Sequence, residues 1–578
     1  MAVSLFFRTF AFEKSYSMIP ILNKVFVLAA LVSVSVTVHA QTWLQNIVNE
    51  NPDVIDSIVV NKNDKHANQY GYSSYCIYFH QPLLHANPEG EQMPLRALLL
   101  IRKGANLATT LTQCCTTGYN IDDDMWNMPS VYLGNWYYPN GMNEVAVKYK
   151  GNWLCIEHRY FGKSLPENYW KRLEYCTGEE AAADFHSLIT ALKTSLKGKW
   201  VMSGVSKGGV VVANQHALYP ADADLYMPYA APFCDGMTDP SMMAYWTTYT
   251  WTEELRNQVK SIQHELINNR EAYNLFKTWN QSYYPGHSSD FWRAEYLMNV
   301  AMIDFESHAL WSRQGLKDSL TISQTRKEKW MQKGYSSAYL DALMVYYCTL
   351  SSYDAWNFLS AYSNTAHRAQ EIVPVKEQMH RVFLPVSINK SDWNASRTAF
   401  DYQTLHEEGY FGLDFTYLFD DDQQDLAATC NREWMKGRGF VFDNPFNEDV
   451  EYDGTLRSKV LEATRSAQRP ILYIYGGDDA WTGAAIPDDC IDNQMSYKYI
   501  LSAQNHMASI NNTKGTQQTK LWNLVEQLLN TPAGIEEILS DSSSMGRGID
   551  GFFNLNGQRQ QGLQRGLNIV DGKKIWVR

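Results

Sequence analysis

The stretch "KWVMSGVSKGGVVVANQHALYP", residues 199–220, decides the reading of this chain. It contains Gly204-Val205-Ser206-Lys207-Gly208, a Gly-x-Ser-x-Gly pentapeptide. Three matched positions mean little alone, since glycine and serine are both common. The flanks carry more. "WVMSG" is short and apolar and reads as a strand, while "KGGVVVANQHALY" reads as a helix stopped by Pro220. Strand, Gly-x-Ser-x-Gly, helix is what a nucleophile elbow requires. The sharp turn strains the serine backbone, and flanking glycines remove side chains that would clash. A helix N-terminus behind the hydroxyl favours developing negative charge. Ser206 is therefore the candidate nucleophile.

An elbow serine needs a carboxylate and a histidine, in the chain order Ser, acid, His. "LYIYGGDDAW" ends a buried strand with Asp478 and Asp479, and "SAQNHMAS" follows another strand with His506. The gap between acid and base leaves room for one helix and one strand. The N–H of Lys207, the residue after the nucleophile, is expected as one oxyanion donor. The loop "TTGYN" offers Gly118 or Tyr119 for the other. Glu157, in "EHR" at a strand end, is a candidate to hold a substrate ammonium. The alternative is that Glu157 and Arg159 pair to brace the loops. The Lys207 side chain reads as a packing or salt-bridge residue.

"YCIYFHQPL", "LRALLLIRK", "NWLCIEHRY" and "LYMPYAAP" read as further strands, and "GEEAAADFHSLITALKTSL" as a helix with Phe185, Leu188, Ile189 and Leu192 on one face. This alternation predicts an α/β fold with a mainly parallel sheet. From about Thr238 to Tyr402 the pattern turns helical, with runs such as "TEELRNQVKSIQHELINNREAYNLF", and the sheet resumes at "RPILYIYGGDDAW". The expected organisation is a signal segment at 1–40, core at 41–237, a helical cap insertion at 238–402, core again at 403–539 and a tail at 540–578. The tail follows a serine-rich linker and has hairpin signals at Asn556-Gly557 and Asp571-Gly572. It is similar to the short C-terminal β segments of secreted Bacteroidota proteins, some of which act in sorting.

Composition bounds the rest. The chain has 578 residues, 45% apolar and 19% charged, which excludes a disordered or fibrous protein. A net charge of −12 without a basic block argues against nucleic-acid binding. Lys24, the apolar run 25–38 and Ala40 have the layout of a secretory signal, with Met18 an alternative start. That run is short for a membrane span. The nine cysteines are odd in number, so at least one thiol has no intramolecular partner. Adjacent Cys114 and Cys115 are expected to bond elsewhere rather than to each other. Zinc spacings are absent, and no metal or cofactor is expected.

"GVSKGG", "GGDDAW" and "QNH", with "CCTTGYN", "CIEHRYFGKS" and "GEEAAADFH", resemble the secreted prolyl tri- and tetrapeptidyl aminopeptidases, α/β-hydrolase serine peptidases. The resemblance covers residues 114–235 and 469–509, and "YQTLHEEGYFG" matches more loosely. It implies Asp479 as the acid, with Ala480 where the family has proline and Asp478 as the rival. It also implies a secreted exopeptidase acting on peptide substrates and releasing short peptides, tripeptides above all, with proline before the cleaved bond. The competing readings are a carboxylesterase or lipase, a prolyl dipeptidyl peptidase or carboxypeptidase, and a binding protein on an inactive hydrolase scaffold. Oligomeric state is not legible.

Overall fold

The computed structural model describes residues 43–133, 140–169, 172–281, 285–310, 313–346, 392–409, 414–435 and 451–531, with short strands in the tail. The expected signal segment, Met18 and the serine-rich linker lie outside the described residues.

Nine strands form one sheet: β1 (Ile55–Val60), β2 (Tyr72–Pro82), β3 (Gln92–Arg102), β4 (Thr112–Thr116), β5 (Asn152–Ile156), β6 (Trp200–Val205), β7 (Leu225–Tyr229), β8 (Ile471–Gly476) and β9 (Ser496–Leu501). Their spatial order is β1-β2-β3-β5-β4-β6-β7-β8-β9. β3 runs antiparallel to both β2 and β5, whereas the pairings from β5 to β9 are all parallel. This is the strand order of the α/β-hydrolase fold, extended by one N-terminal strand. Every residue of β4, β5, β7 and β8 is buried. Parallel strands covered on both faces usually read as near-continuous apolar runs. "ILYIYG" announces this, whereas "TQCCT" does not, and β4 escapes a reading by residue type.

Helices cover both faces. On one face, α1 (Gly178–Lys193) buries Phe185, Leu188, Ile189 and Leu192, beside Val211 and Val212 of α2 (Lys207–Leu218). The Thr177 hydroxyl accepts the Glu180 N–H at 3.2 Å and caps α1. On the other face, Leu521 and Val525 of the helix Gly515–Leu529 pack against Val201, Met227 and Leu472.

Between β7 and β8 the described residues are helical and contain no strand. The long helix expected across residues 252–276 is two helices, Glu253–Asn268 and Arg270–Gln281. Asn269 separates them, and its side chain accepts the Ala272 N–H at 2.9 Å, capping the second. This segment has its own core around Trp246, Trp292 and Tyr296, which also takes in Phe415, Leu418 and Cys430 downstream of Tyr402. In the tail, Gly566–Val570 pairs antiparallel with Lys573–Val577, with Val570 opposite Lys573, and the expected hairpin residues Asp571 and Gly572 lie outside the described residues.

The eight described cysteines are buried thiols, and Cys348 lies outside the described residues. Cys114 and Cys115 are successive residues of β4, so their side chains enter cores on opposite faces of the sheet.

Candidate active site

Ser206 follows β6 and precedes α2 with φ 59° and ψ −125°, a strained conformation for a residue other than glycine. Its N–H donates to the Tyr229 carbonyl at 2.8 Å, which locks the turn onto β7. A Cβ on Gly204 would lie 2.4 Å from the Gly208 carbonyl oxygen, and one on Gly208 would lie 2.4 Å from the Thr116 oxygen. Both flanking positions thus exclude any side chain. Gly209 is under the same constraint, 2.6 Å from the Tyr229 oxygen, although the pentapeptide does not include it. The Ser206 side chain makes no capping hydrogen bond and is partly exposed.

Asp479 follows β8 and His506 follows β9, so both leave the sheet edge from which Ser206 emerges. In such sheets the site lies beyond the carboxyl ends of the strands. His506 Nδ1 is 2.8 Å from Asp479 Oδ2, and Asp479 Oδ1 accepts the Trp481 N–H at 3.2 Å. The carboxylate is fully buried, and the Trp481 ring lies 4.5 Å from the imidazole. The Asp479 contact places the proton on Nδ1 and leaves Nε2 able to accept one. A Cβ on Gly476 would be 2.2 Å from the Asn505 oxygen, so the histidine loop sits directly on the end of β8. Asp478 faces elsewhere. It receives Arg313 at 2.7 Å on each oxygen and the Trp251 N–H at 2.9 Å, which ties the helical segment to this edge.

Lys207 opens α2, and the N–H of a first helical residue has no acceptor within its helix. Gly118, with φ +72°, brings its loop against this position, and a Cβ there would lie 2.8 Å from the Lys207 carbonyl carbon. The Gly118 and Tyr119 N–H groups, expected to complete an oxyanion hole, donate to the Thr116 and Thr117 hydroxyls at 3.0 Å each. An oxyanion would have to displace one of those hydroxyls.

The placement of Glu157 corrects its expected role. It is fully buried, and both oxygens are occupied. Arg96 donates to each at 2.7 Å, Ile121 N–H at 2.8 Å and the Ser164 hydroxyl at 2.9 Å. A Cβ on Gly162 would lie 2.2 Å from the carboxylate, so the loop closes over it. Nothing is left for a substrate ammonium. Nor does Glu157 pair with Arg159, which donates to Asp184 at 2.7 and 2.8 Å. Between them, burial and the Lys207 charge hold His158 well below the ordinary histidine range. Glu157→Gln is expected to cost about 3–5 kcal/mol, the usual loss on breaking a buried ion pair. A lowered melting temperature with an unchanged preference between free and blocked substrates checks this. Lost preference at unchanged stability would restore the ammonium role.

Glu144 is a site residue that sequence reading missed. It accepts the Tyr229 hydroxyl at 2.5 Å and the N–H groups of Ile510 and Asn511 at 3.2 and 3.1 Å. It therefore joins the strand behind Ser206 to the loop behind His506. Burial pushes its carboxyl up to about 7. Its partners lie 85 and 366 residues away, beyond the reach of any local motif.

Residues 134–232 match the family described as serine carboxypeptidase S28. The chain resembles the S28 serine peptidases. A prolyl tri/tetrapeptidyl aminopeptidase from Streptomyces mobaraensis is 27% identical over 213 residues, 36% of this chain and 40% of that protein. The human lysosomal Pro-X carboxypeptidase is 34% identical over 137 residues, 20% of this chain and 27% of the relative. The chain thus spans well under half the length of these curated relatives. A proline iminopeptidase from Mycobacterium smegmatis aligns over 76% of this chain and 94% of its own, at 12% identity and a TM-score of 0.30. The fold rests on the strand order rather than on that likeness. Among the described residues, no helix is long and apolar enough to cross a membrane, and no group of three or more His, Cys, Asp or Glu could hold a metal ion.

Proposed function

We propose that this chain is a secreted serine exopeptidase that releases short peptides, tripeptides in particular, from peptide N-termini, with proline before the cleaved bond. Ser206 attacks the scissile carbonyl, His506 takes its proton, and Asp479 holds the imidazole in the required tautomer. The Lys207 N–H stabilises the tetrahedral oxyanion, joined by Gly118 or Tyr119 once its threonine contact yields. The observation that carries the reading is the strained Ser206 turn at the sheet edge that also bears the 2.8 Å Asp479–His506 pair. Proline specificity draws support from two relatives whose names specify prolyl and Pro-X substrates. End-directed cleavage draws support from the helical segment inserted between β7 and β8, tied by Arg313 to Asp478 beside the acid. Such a roof admits peptide ends and excludes folded chains. The apolar run 25–38 supports secretion.

A second reading, release of a C-terminal residue after proline, is favoured by the S28 match over residues 134–232. One assay separates the two. Ala-Ala-Pro-amide with a free N-terminus is expected to be cleaved at least about tenfold faster than its N-acylated form, because a lost charged hydrogen bond costs about 1.5–3 kcal/mol. Equal rates on both would end the aminopeptidase reading. Preference for a blocked peptide ending in Pro-X with a free carboxylate would establish the carboxypeptidase instead.

A further inference from the structure

The Lys207 side chain is fully buried, directly after the nucleophile, where an unpaired ammonium would be costly. Its partner is Glu408, 2.6 Å away and 201 residues later in the chain. Glu408 is itself buried and ends the π-helical turn Thr404–Glu408, which follows the helix Asp392–Gln403. We infer that Glu408 is a positioning residue for the oxyanion hole, acting through Lys207 to fix the backbone N–H that faces the developing charge.

Two sets of contacts carry this. The first concerns what the lysine stem touches. A Cβ on Gly118 would lie 2.9 Å from Lys207 Cγ and 2.7 Å from the Gly208 nitrogen, so the facing loop is seated on the stem and on the backbone donors together. Lys207 Nζ lies 5.7 Å from the centre of the Phe161 ring, which meets Tyr119 edge-on at 5.7 Å. Both walls of the candidate oxyanion site therefore rest on one side chain, and pulling its far end sets their separation.

The second set fixes the far end. Glu407 accepts the Gly178 N–H at 2.8 Å, which pins the turn to the start of α1. Gly409, with φ +83°, packs so tightly that a Cβ would lie 2.5 Å from the Gly236 oxygen. Phe400, one turn upstream of Thr404, lies 5.6 Å from the Tyr119 ring. A π-turn inside a helix is an uncommon geometry that recurs at functional sites. Here it aims two successive carboxylates inward, one at the α1 N-terminus and one at Lys207. Among the described residues Glu408 Oε2 is buried without a hydrogen-bond partner, so the lysine is the contact that holds this carboxylate there. A buried pair is weak evidence for stability, and its place beside the donor fits a role in geometry.

The inference rests on Ser206 being the nucleophile but not on the proline substrate, and the test keeps the two apart. In the full chain, Glu408→Gln and the apolar double variant Lys207→Met/Glu408→Leu are compared with wild type. The measurements are melting temperature, kcat and KM on Ala-Ala-Pro-p-nitroanilide, and the rate of fluorophosphonate labelling of Ser206. Glu408→Gln is expected to lower kcat and the labelling rate together by roughly tenfold to a hundredfold with KM nearly unchanged, since a single oxyanion donor is worth about 10²–10³ in kcat. The double variant is expected to regain the melting temperature without regaining either rate. If the double variant recovers wild-type labelling, the pair is only a packing device and the inference fails. The inference fails equally if Glu408→Gln folds and labels at the wild-type rate. A wild type that labels but does not cleave the peptide refutes the substrate reading alone, and labelling of the variants still decides the clamp. A wild type that does not label refutes both.

Discussion

Ser206→Ala is expected to abolish amide hydrolysis and fluorophosphonate labelling while leaving the melting temperature unchanged. Loss of a triad nucleophile lowers kcat by about 10⁶. The structural change is slight, because the Ser206 side chain makes no capping hydrogen bond whose loss would cost stability. Alanine bears the same positive φ, and the Tyr229 and Val210 contacts of this turn use only the backbone. Residual turnover of about a tenth or more would remove Ser206 as nucleophile. A lowered melting temperature would show that the hydroxyl has a structural partner.

Asp479→Asn is expected to cost roughly 10⁴ in turnover. The direction follows from two contacts. Asp479 Oδ1 accepts the Trp481 N–H, so an asparagine keeps its carbonyl oxygen there and turns its NH₂ toward His506 Nδ1. Nδ1 must then accept, the proton moves to Nε2, and no base faces the serine. Asp478→Asn should behave differently. It weakens the bidentate Arg313 contact and the anchoring of the helical segment, so stability falls and turnover changes far less. If the two variants exchange these effects, the acid is Asp478.

The candidate site was legible because chemistry restricts residue type at strand ends. Gly204 and Gly208 mark a turn that tolerates no Cβ, and Asp479 and His506 follow strands whose apolar runs identify them. The central strand β4 was not legible. "TQCCT" has five residues with no aliphatic side chain, yet all are buried. Neighbourhood in sequence misled at Glu157 and Arg159, whose partners are Arg96 and Asp184. Glu144 gave no signal, and Glu408 stood only within the loosely matching "YQTLHEEGYFG" with no role assigned, because each acts through contacts formed only after distant segments meet. The two helices on either side of Asn269 read as one, since the apolar periodicity continues across a break made by a single capping side chain.

The insertion between β7 and β8 also sets a timetable. Tyr226 of β7 lies beside Ile471 of β8, so these strands cannot pair until residues 230–470 between them have been synthesised. Long loops add little to the closure entropy but slow the search for partners. Ser206 is synthesised well before His506, by roughly 15–60 s at about 5–20 residues per second. Through that interval the serine has no base, and its turn lacks the Tyr229–Glu144–Ile510 link to the histidine loop. Under the proposed function, such a chain stays silent until its last two sheet strands dock, and the order of assembly delays activity in the cell that makes it.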